Sequence, residues 1–165
     1  MPKRSTAKKA ANDLRKGKSP STAAGEFVHE EIEHVRKGNH GARSPQQAIA
    51  IGLNKARRAG VPLRPPKKGK VKEHTRTSAR HAYERGQSNG ADTRSRRASQ
   101  ARQRVLQREP RSSGSHRALS KQARIASRER GSQSRHKAAR KAVKTKGKSG
   151  LRAAARKAAR TRDHT

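Results

Sequence analysis

Apolar side chains recur at helical spacing over only one stretch of this 165-residue chain, and nine of its 17 Leu, Ile, Val and Phe residues lie between positions 27 and 63. Val28, Ile32 and Val35 fall at i, i+4 and i+7 with Ala24 on the same side, which predicts a helix with one apolar stripe. Its punctuation agrees. Ser19-Pro20 supplies an N-cap followed by proline at the first helical position, and Arg36-Lys37 close the helix before Gly38. A second helix is expected from Ser44-Pro45, where Ser44 and Gln47 have capping-box spacing. It carries Ala48, Ile49, Gly52, Leu53 and Ala56 on one side and stops at Gly60, with Pro62 beyond. The short loop at 38–43 predicts a helical hairpin over 19–60, in which Gly52 lets the two backbones approach. Glu26, Glu30 and Glu33 cluster away from the stripe of the first helix. Phe27 sits at its edge, and Ile51 points away from the stripe of the second. These five residues are the candidate interaction surface, for a protein partner, a homodimer through the hairpin, or the basic tail folding back onto the acids.

The rest of the chain has no such stripe. Residues 1–18 read as a basic disordered arm and lack the apolar run of a secretory signal. Residues 61–69 form a Pro-containing linker. Residues 70–116 are a basic low-complexity region with weak helical patches at 79–85 and from an Asp92 N-cap to 109, neither with an adequate apolar face. The last segment repeats itself. Ala123-Arg124-Ile125-Ala126, Ala139-Arg140-Lys141-Ala142 and Ala155-Arg156-Lys157-Ala158 stand sixteen residues apart in succession. Arg128, Lys144 and Arg160 keep the register, as do Arg130, Lys146 and Arg162, and Gly131 pairs with Gly147. Three Ala-rich basic units thus span 117–164, of high helix propensity but marginal as free helices because like charges four residues apart repel. The fold class expected is mostly α and disordered: a short helical hairpin with long basic arms.

Charge names the partner class. Lys and Arg number 45 against 11 Asp and Glu, a net charge of +34. Summed by segment it is +6 over 1–18, −1 over 19–43, +4 over 44–66 and +25 over 67–165. So few large apolar residues cannot offset the roughly 1 to 2 kcal/mol of backbone entropy per residue along the whole length. Self-repulsion falls when such a chain meets a dense polyanion, so duplex DNA is the expected partner and RNA the alternative. The residues expected on phosphate are Arg117, Lys121, Arg124, Arg128 and Arg130 in the first unit. Arg140, Lys141, Lys144 and Lys146 follow in the second, and Arg152, Arg156, Lys157, Arg160 and Arg162 in the third. Helix formation is expected to be coupled to that binding. With only Phe27 and Tyr83 as aromatics, stacking on single-stranded bases has no platform. The second hairpin helix begins Pro45-Gln46-Gln47 and has no third helix to brace it, which disfavours a helix-turn-helix reader.

Other classes drop out. The chain has no cysteine, and its longest apolar run, 48–53, is far short of the roughly 20 residues that span a membrane. No phosphate-binding glycine loop or serine nucleophile elbow occurs, so the chain is read as no enzyme and needing no cofactor. His29, Glu30, Glu31, Glu33 and His34 cluster, and Glu31 and His34 have Glu-x-x-His spacing. The second pair that carboxylate-bridged iron sites require is missing, and the cluster is read as a solvated helix face without metal.

At residues 25–62, GEFVHEEIEHVRKGNHGARSPQQAIAIGLNKARRAGVP, the chain resembles a family of small basic bacterial proteins with a short domain of unknown function. The Gly-rich turn, the Ser-capped QAIAIGL helix and KARRAG carry the resemblance. It implies a bacterial, cytoplasmic protein loosely described as DNA-binding, with no catalytic residues to carry over. The tail is similar in composition to linker-histone and nucleoid-protein tails, without their Pro-Ala-Lys-Lys runs, which implies nucleoid localisation and coating or compaction of DNA.

Overall fold

The computed structural model describes residues 3–88 and 96–163, the side chains of 96, 98 and 161–163 excepted. The described residues form helices and no strand. The chain divides into two units, residues 1–120 and 121–165.

In the first unit, α2 (Pro20–Arg36) and α3 (Pro45–Arg58) begin where the caps predict. Ser19 Oγ accepts the Thr22 N–H at 3.4 Å, and Ser44 Oγ accepts the Gln47 N–H at 3.2 Å. Gln47 Oε1 reaches back to accept the Arg43 N–H at 2.7 Å, so the orphan amides ahead of α3 are satisfied in both directions. The two helices pack on each other. A Cβ on Gly52 would stand 2.7 Å from Val28 Cα, so the absence of a side chain there sets their approach.

The buried face of α2 differs from the predicted stripe. Ala23, Ala24, Phe27, Glu30, Glu31 and Val35 are buried, whereas Val28 and Ile32 are half-buried. At about 100° per residue the buried arc is turned toward Phe27 and Glu30. The cause is a second neighbour. Residues expected to form a disordered arm instead make α1 (Arg4–Arg15), which packs on α2 and buries Thr6 and Ala10. Its contact stripe, Ala7, Ala10 and Leu14, has helical spacing but only one large side chain, so a tally of large apolar residues passes over it. The Lys3 N–H at the start of α1 donates to Glu30 Oε1 at 3.0 Å, placing a carboxylate where the helix dipole favours one.

Alanine dominates the core. Ala10, Ala23, Ala24, Phe27, Ala56 and Val61 form its main cluster, with Ala7, Leu14, Leu53 and Leu63 packed against it. Phe27, 1% exposed, is therefore a core anchor and not a docking residue, and Ile51 is half-buried. Because Val61 and Leu63 belong to this packing, the segment read as a linker starts as part of the core. Buried Arg57 ties it down by donating from Nε to the Leu63 carbonyl at 3.1 Å.

The low-complexity region also contributes. In α4 (Glu73–Gln87), Ala79 and Ala82 are buried and the helix packs on α3; a Cβ on Gly86 would overlap the Arg57 carbonyl. The face judged inadequate works because its small residues admit close approach. The Asp92 cap lies outside the described residues, and α5 runs Arg96–Arg108. After it the chain returns to the loop between α2 and α3. Gly41 N–H donates to the Leu106 carbonyl at 2.8 Å and Ala42 N–H to that of Pro110 at 3.1 Å. Arg36 Nε donates to the Gly114 carbonyl at 2.8 Å from a 3-10 turn, Arg111–Gly114.

Candidate nucleic-acid interface

The sixteen-residue repeat reappears as helical punctuation. Helix α6 (His116–Glu129) crosses the division between the units, and α7 (Gly131–Asp163) is broken at Gly147. Gly131 has φ 72° and Gly147 φ 64° with ψ 176°, conformations that L side chains resist. The helix therefore restarts at two equivalent glycines, at the junctions that open the second and third repeats. Each restart gives a segment rising about 24 Å.

These segments display their cations. Arg117, Lys121, Arg124, Arg128 and Arg130 are exposed, as are Arg140, Lys141, Lys144 and Lys146 of the second repeat and Arg152, Arg156, Lys157 and Arg160 of the third. The side chain of Arg162 lies outside the described ones. Arg124 and Arg128, Arg140 and Lys144, and Arg156 and Arg160 each stand one turn apart, so every repeat presents an equivalent basic pair on one face. Between positions 117 and 163 there are 17 Lys and Arg against two acids, Glu129 and Asp163. No described residue from 121 to 160 is buried; Ile125 and Val143 are 38% and 51% exposed. What these segments offer a partner is charge on a helical scaffold.

A further basic surface escaped the sequence reading. Arg4, Lys8, Lys9 and Arg15 are exposed on α1 while Thr6 and Ala10 are buried, so this helix is amphipathic with a cationic outer side. The alternation of Lys pairs with Ala at helical spacing was the available signal.

The acidic residues of α2 do not form the open patch expected. Glu30 is 6% exposed, held by the Lys3 N–H and lying 3.7 Å from His34 Nε2. Glu33 is half-buried and bonded to Arg36 at 3.1 Å, and Glu26 is half-buried. Their spacing puts Glu30 on the side that α1 covers, while Glu26 and Glu33 remain partly exposed. Glu31, read as solvated, is fully buried. Its Oε2 accepts from Lys55 Nζ at 2.5 Å, and its Oε1 faces His40 Nε2 at 3.3 Å. His34 and His40 meet edge to face with ring centroids 6.1 Å apart. Burial, with Lys55 nearby, holds the His34 pKa below the ordinary histidine value. His29 on the same helix is exposed.

No helix among the described residues is long and apolar enough to cross a membrane. No protein-family model, curated protein or solved structure matches this chain.

Proposed function

We propose that this protein binds duplex DNA without sequence specificity, coating or compacting it as a histone-like, nucleoid-associated protein. The three repeats lie along the phosphate backbone. One observation supports this above the rest: the helix restarts at Gly131 and Gly147, sixteen residues apart, and all three repeats present the same exposed basic pair, with no buried residue between 121 and 160. Such a surface matches a regular anionic rod, and the same cation at the same place in every repeat suits the uniform backbone and not a varied base sequence. Duplex DNA carries one charge per about 1.7 Å of axis, so a repeat rising about 24 Å runs past roughly 14 phosphates, ample for its cations.

Duplex is favoured over single strands because the two aromatics are committed elsewhere: Phe27 is in the core and Tyr83 is half-buried on α4. Binding of fluorescent duplex DNA by the full chain and by a chain ending at Ser120, each in competition with structured RNA at equal salt, tests the proposal. Loss of DNA affinity on truncation, with duplex DNA preferred, is expected. Equal affinity of the truncated chain, or preference for RNA, contradicts it.

A further inference from the structure

We infer that Glu31, His34 and His40 bind a divalent transition-metal ion of the zinc type, joining α2 to the loop that leads into α3. Two imidazoles and one carboxylate are a donor set that zinc takes, and one donor atom from each residue lies within 4.8 Å of the others.

The geometry is more specific than the residue types. Glu31 is fully buried, and while Lys55 holds Oε2, Oε1 accepts no hydrogen bond. A buried carboxylate oxygen without a partner is costly and points to an electropositive group that completes it. Beside it, His40 Nδ1 lies 2.9 Å from the Gly41 carbonyl. A carbonyl only accepts, so Nδ1 carries the proton, and in the neutral ring the lone pair is on Nε2. That nitrogen is 3.3 Å from Glu31 Oε1. Two ligands of a tetrahedral ion, with bonds of about 2.0 to 2.2 Å, stand roughly 3.3 to 3.5 Å apart, so this pair is already at coordination spacing. Backbone carbonyl contacts of this kind fix the tautomer of ligating histidines. An imidazolium at His40 is the competing way to satisfy Glu31. It would donate from Nε2 to Oε1, and that hydrogen bond is not made.

Three protein ligands leave further positions to water. The ion would complete Glu31 Oε1 and, through His40, tie the loop at 38–43 to α2, independently of anything the tail binds.

The test uses the full chain after treatment with EDTA. Zn²⁺ is titrated by calorimetry and Co²⁺ by visible absorption, with melting temperature recorded in parallel. One saturable equivalent, intense four-coordinate cobalt bands and a raised melting temperature are expected. Glu31→Gln and His40→Ala should each weaken binding at least about ten-fold, and His29→Ala should leave it unchanged. Absence of saturable uptake overturns the inference, as does uptake that persists in both variants and so belongs to other histidines. If Glu31→Gln fails to fold, His40→Ala and the wild-type cobalt spectrum decide, a weak six-coordinate spectrum counting against the site.

Discussion

Replacing Arg124, Arg140 and Arg156 together by Gln removes one equivalent cation from each repeat. All three are exposed, so the substitution touches no packing in either unit. Each phosphate contact on duplex DNA contributes about 0.9 to the slope of log K against log salt, so the triple variant should have a slope about 2.7 shallower and each single variant about 0.9. Taking the ionic term as zero near 1 M salt, one contact corresponds to about five-fold in affinity at 0.15 M, and three to about a hundred-fold. Fluorescence anisotropy with a short duplex, titrated at several salt concentrations, measures both quantities, and circular dichroism confirms that helix content is unchanged. Equal decrements from the three single variants are the signature of a repeating phosphate-binding unit. A triple variant with an unaltered slope would refute the reasoning, and so would a loss confined to one position.

Three further outcomes follow from the same structure. The repeats are helical in the structure, yet like charges four residues apart make them marginal as free helices, so far-UV circular dichroism should show helix content rising when duplex DNA is added; no gain would remove coupled folding from the account. Phe27→Ala should lower stability by about 3 to 5 kcal/mol in denaturant titration, the loss of the largest apolar group in an alanine-rich core. Gly52→Val should cost on the order of 1 to 3 kcal/mol in the same assay, since any Cβ there meets the backbone of Val28.

The legible parts of the fold were those with local punctuation. Ser19, Pro20, Ser44, Pro45 and Gln47 mark α2 and α3 because capping is a contact between near neighbours. The tail repeat was legible for a similar reason: Gly131 and Gly147 stand out against Ala, Lys and Arg, and both adopt positive φ. Tertiary partners were not. The packing faces of α1 and α4 are built mainly from alanine, with Thr6 and a single Leu14 on α1, and alanine burial stabilises little per residue and works only after close approach, so composition alone assigned them to solvent. That one omission propagated. Without α1, Phe27 looked peripheral and Glu30 solvated, although Phe27 is fully buried and Glu30 nearly so; Glu31 was hidden for another reason, since Lys55 of α3 and His40 of the loop close over it. His40 shows the same limit, since only the fold brings that loop residue to within 3.3 Å of Glu31.

Titration of the full chain against duplex DNA across ionic strength addresses the proposed function most directly. With ten or so phosphates engaged by the repeats, log K should fall against log salt with a slope near −9, about five decades between 50 and 200 mM. A slope shallower than about −3, or no measurable binding at physiological salt, would contradict the account.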